Sequence, residues 1–249
     1  ILGALLADFS RYYPDVKIQL YTGGALEALQ YGREGKADIV ISHHPPDEKR
    51  FVEQGFGRVR TEILFSEFVL FGPPNEIPEI TKSTDIISAL KLLAKKEAHF
   101  LVPSARSGVF PVIESLWANA GIHTDWFGYE YTGKSGAANL EQAVMEGAYT
   151  IMDIATYLVK RDEYGKYISP LIRGDFALRN IYSVVIVSND KIIGANEKLA
   201  KIFYAYLINE KGQGVIEKYG EKTLQVSYLT PAANFDTGLR EKRAEEKSS

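Results

Sequence analysis

The sequence predicts an α/β protein of two lobes, each a mixed sheet flanked by helices. Three observations predict it. Gly35–Ser42, GKADIVIS, and Glu141–Leu158, EQAVMEGAYTIMDIATYL, each pass from a helix end straight into a short apolar strand. Gly72-Pro73-Pro74-Asn75 is a strong breaker within extended sequence. Tyr182–Val187, YSVVIV, is an apolar strand placed where the chain would return. Two crossings make the first lobe discontinuous. It is expected to hold residues 1–72 with 187–249, around a second lobe of 73–186.

The elements follow in order. Leu2, Leu5, Leu6, Phe9 and Tyr13 recur at helical spacing. Pro14 ends that helix, because the residue before proline avoids helical geometry. This start is read as a helix and not as a signal peptide, since no basic segment precedes its apolar residues. Val16–Tyr21 reads as a strand, Thr22-Gly23-Gly24 as a tight turn, 25–34 as a helix and Ala37–Ile41 as a strand. Such an α-β-α-β order with short loops predicts parallel strands joined by right-handed crossovers. His43–Arg50, HHPPDEKR, reads as the following loop, and Phe51–Gly57 as a short helix and turn. Arg60–Leu64 and Glu67–Phe71 read as two extended segments.

Beyond the breaker, Asp85–Lys96 is helical and Phe100–Pro103 is a strand. The polar turn Ser104–Gly108 opens a helix over Pro111–Ala120. Trp126–Glu130 is a strand or turn, and Ala137–Glu146 a helix. Tyr149–Met152 is a strand, after which Asp153 caps the next helix. Ile168–Leu171 and Ile181–Val187 are strand-like, 196–207 and Gly212–Tyr219 are amphipathic helices, and Thr237–Ser249 is a polar surface helix or tail.

Composition excludes several functions. A length of 249 residues supports sizeable cores in both lobes. The net charge of −3 comes with evenly spread Lys and Arg, so no nucleic-acid-binding face is expected. No run of about 18 apolar residues predicts a membrane span. Cysteine is absent, which removes disulfides, thiol catalysis and thiolate metal sites. No nucleophile elbow, phosphate loop or dinucleotide fingerprint is present, and Gly23-Gly24 lacks the spaced glycines the last of these needs. A monomer without cofactor or catalytic residues is expected.

Loops at the carboxyl ends of parallel strands are where open α/β sheets bind ligands. Ser42 and His43 end one such strand and are expected to face a cleft between the lobes. Ser104, Arg106, Ser107 and Gly108 form a turn just before a helix, where amides carry positive potential. Ser107 also suits a helix cap. Arg106 suits either a forked contact to an anion or a solvated position. Ser135 and Gly136 lie in the matching glycine-rich turn before the next helix. His43-His44 hints at a metal, but no further ligand stands at suitable spacing, and no metal site is expected.

Several segments together resemble the extracytoplasmic tungstate-binding proteins of ABC importers. They are Thr22–Leu26, Gly35–Gly57, the FVLFGP of Phe68–Pro73, Ser107-Gly108, Leu116-Trp117, Gly147–Leu158 and Tyr182–Val187. The closing pattern Ala200, Phe203, Leu207, Gly212-Gln213, Ile216 and Gly220 agrees. The resemblance runs from about Ile1 to Pro231. It implies a type 2 periplasmic-binding-protein fold, a small oxyanion ligand such as tungstate or molybdate, an ABC permease as partner and an extracytoplasmic location. In the family, the turn before Ser107-Gly108 usually reads SRGDDSGT. Here the arginine stands three positions closer and Val109 follows.

Members of the family also begin with a strand and a Thr/Ser-rich turn that supplies anion donors. The first amides of the helix near Ile1 would lack partners if nothing preceded them. Residues upstream of Ile1 are therefore expected in the native protein, and a chain starting at Ile1 is expected to bind oxyanions poorly. A competing reading is a ligand-sensing or regulatory module of the same fold that answers to another small molecule.

Overall fold

The computed structural model describes residues 1–74 and 77–233. The chain divides into two compact units, Ile1–Phe65 with Ile181–Ser249, and Ser66–Asn180. It leaves the first unit within one strand and re-enters it within another. The expected C-terminal helix or tail, Thr237–Ser249, lies outside the described residues.

In the first unit, α1 (Leu2–Tyr12) buries Leu5 and Phe9. They pack with Phe203, Tyr206 and Leu207 of α8 (Glu197–Ile208) and with Ile216 of α9 (Glu210–Glu217). A second cluster joins Leu29 of α2 (Ala25–Arg33), Val40 of β1 (Ile39–Ser42), Phe51 of α3 (Pro45–Glu53) and Val185 and Val187 of β7 (Arg179–Val187). The long strand β2 (Gly57–Gly72) contributes Ile63 and Leu64 to the first cluster, and its Leu64 and Phe65 pair with β8 (Thr230–Pro231). Gln213 is fully buried there. Its Nε2 donates to the Ile63 and Leu207 carbonyls at 3.0 and 2.7 Å, and its Oε1 accepts from the Ala233 amide. A buried amide is tolerated because its hydrogen-bonding groups are used.

Four expectations are corrected here. Val16–Tyr21 forms no strand, and Ile18, Leu20 and Tyr21 are exposed. An apolar run becomes a strand only where a neighbour supplies its ladder, and no neighbour does so among the described residues. β1 consequently pairs antiparallel with β7, Ile39 against Ile186 and Ser42 against Ser183, instead of parallel to an earlier strand. HHPPDEKR is mostly helix. Proline suits the first turn of α3 because its missing N–H would be unpaired there anyway, and Asp47 and Glu48 favour the positive helix end. The two extended segments after it form one strand of 16 residues, since nothing between Leu64 and Glu67 breaks the ladder.

The second unit holds the C-terminal half of β2. It pairs antiparallel with β5 (Thr150–Asp153) over Phe68–Phe71 and with β6 (Ser169–Ile172) over Leu70–Gly72. β3 (Phe100–Val102) pairs parallel with β4 (Tyr129–Tyr131). A parallel bridge, Phe100 to Tyr149, joins β3 to the lead of β5. The helices α4 (Ile86–Lys95), α5 (Phe110–Ala120), α6 (Ala137–Glu146) and α7 (Ile154–Tyr164) follow the periodicity of their apolar residues. Leu90, Leu93, Ile113, Trp117 and Phe100 meet in the core. No helix among the described residues is long and apolar enough to cross a membrane.

Candidate functional site

In the second unit, β3 and β4 run parallel and end side by side, each in a turn that opens a helix. The turn after β3 spans Pro103–Val109 and leads into α5. The turn after β4 spans Thr132–Gly136 and leads into α6. The two are tied together, because the Ser104 amide donates to the Lys134 carbonyl at 2.6 Å. Within the first turn, the Ser107 amide donates to the Ser104 carbonyl at 2.8 Å and the Arg106 amide to Ser104 Oγ at 3.3 Å. In the second, Gly133 and Gly136 have φ of 67° and 54°. Glycine reaches that left-handed region without a Cβ penalty.

The expected ligand residues of this unit thus come together. Ser104 and Ser107 are half-buried, Arg106 and Gly108 are exposed, Ser135 is exposed and Gly136 is half-buried. Arg106 has no carboxylate partner among the described residues. Neither helix begins with a side-chain cap. Val109 precedes α5 and Gly136 precedes α6, and neither supplies a side-chain acceptor to the first amides. Ser107 does not cap α5 through its side chain. Its carbonyl accepts instead from the Phe110 amide at 3.0 Å.

A buried polar chain beneath the turns was not foreseen from sequence. Thr132 Oγ1 donates to Asn139 Oδ1 at 2.7 Å, Asn139 Nδ2 donates to Thr150 Oγ1 at 3.0 Å, and Thr150 Oγ1 donates to the Leu101 carbonyl at 2.8 Å. Asn139 and Thr150 are fully buried. The amide of Thr132 also donates to the Val102 carbonyl, and that of Lys134 to Thr132 Oγ1. The chain fixes the second turn to the end of β3 and the start of β5. A polar Asn in the first turn of an amphipathic helix, with Thr at both strand ends, was the available signal.

Ser42 and His43 stand in the first unit. Ser42 closes β1, is 2% exposed and donates through Oγ to the Ala25 carbonyl at 3.4 Å. Ala25 begins α2, whose preceding Gly24 supplies no side-chain cap. Opposite Ser42 in the ladder, Ser183 carries a buried Oγ without a hydrogen bond among the described residues, a second residue that periodicity did not single out. The His43 ring lies 5.0 Å from that of Tyr182. Asp153 caps α7 as expected, with Oδ1 accepting from the Thr156 amide at 2.9 Å and Oδ2 from its hydroxyl at 2.7 Å.

The chain matches the PBP superfamily domain over residues 1–211. It is 30% identical over 235 residues to the tungstate-binding protein TupA of Peptoclostridium acidaminophilum, covering 94% of this chain and 81% of that protein. Among solved structures it is similar to TupA of Desulfovibrio alaskensis G20, with a TM-score of 0.86, 27% identity and 94% of each chain covered. It is also similar to the tungstate ABC transporter protein of Geobacter sulfurreducens, with a TM-score of 0.73, 30% identity and coverage of 88% and 92%.

Proposed function

We propose that this chain, which belongs to the PBP superfamily, captures an oxyanion, tungstate or molybdate, and delivers it to an ABC permease outside the cytoplasm. The names of its relatives support the ligand class. The observation that carries the manner of binding is the pair of tied turns after β3 and β4, each opening a helix without a side-chain cap. An anion taken from water needs donors that cost little to desolvate. Unused amides at a helix start meet that need, and the aligned peptide dipoles add positive potential.

In this reading Ser104 and Ser107, whose amides are used within the turns, supply hydroxyls, Ser135 supplies a hydroxyl and an amide, and Gly108 and Gly136 supply amides. Arg106 supplies a forked, permanently charged contact. In the first unit, Ser42 at the end of β1 and His43 after it are the candidate contacts. The site offers hydrogen bonds and charge, which suit capture of an anion.

Calorimetric titration of the full-length protein with tungstate, molybdate, sulfate and phosphate tests this. Saturable heat with tungstate and molybdate is expected, with weaker responses to the other two. No heat and no thermal shift with any of the four would overturn the reading.

A further inference from the structure

His99, Glu130 and Glu146 lie far apart in sequence yet meet at one place in the second unit. His99 immediately precedes β3, Glu130 is the middle residue of β4, and Glu146 is the last residue of α6. His99 Nε2 stands 3.3 Å from Glu130 Oε1 and 3.5 Å from Glu146 Oε2. All three ligand atoms lie within 4.8 Å of one another. We propose that these residues form a binding site for a divalent transition cation, with Zn²⁺ the preferred ion.

Four features support a metal here over a plain ion pair. The donor set of one imidazole and two carboxylates is one that Zn²⁺ accepts, leaving a fourth position for water. The two measured edges match a tetrahedron, in which ligands about 2.1 Å from zinc stand roughly 3.4 Å apart. His99 Nε2 is buried and makes no hydrogen bond among the described residues, despite its closeness to both carboxylates. The arrangement around the ligands also leaves the right atoms available. Gln142 Nε2 donates to Glu146 Oε1 at 3.0 Å, so Oε2 remains for the cation, and the second-sphere amide orients it. The Tyr149 amide holds the His99 carbonyl at 2.8 Å, which pins the backbone that carries the imidazole.

Electrostatics points the same way. Glu146 ends α6, where the helix dipole is negative, and the last turn of that helix holds no basic residue. Glu130 adds a second negative charge beside it. A divalent ion would satisfy both carboxylates and the helix end together. The site lies at the opposite end of α6 from Gly136, so it is separate from the proposed anion turns and does not depend on that reading.

The test uses the full-length protein stripped with a chelator and titrated with Zn²⁺ by calorimetry, with thermal unfolding followed in parallel. One Zn²⁺ per chain and a raised melting temperature are expected. His99→Ala and Glu146→Gln should each weaken binding at least tenfold and abolish the thermal shift, whereas His123→Ala should leave both unchanged. Co²⁺ in place of Zn²⁺ should give the intense visible absorption of a four-coordinate ion, and that absorption should vanish in His99→Ala. Absence of stoichiometric binding would overturn the proposal, as would binding that survives in both cluster variants. Glu146→Gln alters an exposed side chain at a helix end, so it keeps the test valid should His99→Ala fold poorly.

Discussion

The helices of this protein begin in two different ways. α4, α7, α8 and α9 each start on a side chain that accepts from the first-turn amides: Asp85, Asp153, Asn196 and Asn209. α2, α5 and α6 start on Gly24, Val109 and Gly136, with no such acceptor. Both kinds of start meet the same physical demand, since a helix leaves its first N–H groups without intrahelical partners. A side-chain cap spends those donors on the fold, whereas α6 leaves the Ala137 and Ala138 amides for solvent or a ligand, and α5, with Phe110 bonded to the Ser107 carbonyl and Pro111 lacking an N–H, leaves fewer. α1 and α3 also start without such a cap, on Ile1 and His44. The starts after the tied turns are the ones where an anion is proposed to sit.

The largest expected effect tests how α6 keeps its place without a cap. Asn139, in its first turn, reaches down to Thr132 and Thr150 and stands in for one. Asn139→Ala removes two hydrogen bonds and leaves the Thr132 and Thr150 hydroxyls donating only to the Val102 and Leu101 carbonyls, at a cost of about 2–3 kcal/mol in unfolding free energy. Urea unfolding midpoints check it. A loss below about 0.5 kcal/mol, the range of an ordinary surface change, would show that the turn holds itself. Asn139→Asp would be similarly harmful, because it replaces the donor to Thr150 with an acceptor.

Much of this contrast was legible in the sequence. Asp85, Asp153 and Asn196 precede regular apolar spacing, and Ala137–Glu146 has the bounds expected of it, with glycine at both ends. Periodicity and capping are local properties, so they survive into the fold. Val16–Tyr21 was misread because strand formation depends on a neighbour that no local pattern specifies. The Thr132–Asn139–Thr150 chain and the His99–Glu130–Glu146 cluster were missed for the same reason. Each is assembled from separate elements by the β3–β4–β5 arrangement.

The next effect is on affinity. Arg106→Ala should weaken tungstate binding by roughly 1.5–3 kcal/mol, the worth of a charge-assisted contact, or about ten- to a hundredfold. Lys134→Ala should cost less, because a compact, strongly hydrated ammonium gains less from one fixed geometry. Lys134 also takes part in the turn through its backbone carbonyl, which the substitution keeps. Equal losses by calorimetry would place Arg106 outside the site.

Exchanging the two kinds of start sharpens the comparison further. Asp153→Ala should cost about 1 kcal/mol of stability, as loss of a helix cap does, and leave tungstate affinity unchanged. Gly136→Ala should cost roughly 1–2 kcal/mol, because its φ of 54° strains any residue with a Cβ. It should also weaken binding, since the first amides of α6 would shift. A Gly136→Ala protein that binds with unchanged affinity would separate that turn from the ligand.

The smallest effect is a pH dependence confined to a capped start. Asp85 accepts from the Ser88 amide and hydroxyl, each at 2.8 Å, and from Thr84 Oγ1 at 2.9 Å. These bonds hold its carboxyl below the usual aspartate range, the Ser88 amide contributing most. The folded state therefore binds this proton more weakly than the unfolded state does. The stability it adds is fully present above the unfolded value, near about pH 3.9, and disappears as pH falls through the lowered folded value. The group is exposed, so solvent screening keeps the effect small. Asn caps helices about as well as Asp and does not titrate, so Asp85→Asn serves as the control. The difference in urea midpoint between the two proteins should be constant near neutral pH and shift against wild type only in acid. A difference that stays flat down to about pH 2.5 would mean that the carboxylate form gives α4 no advantage over a neutral cap.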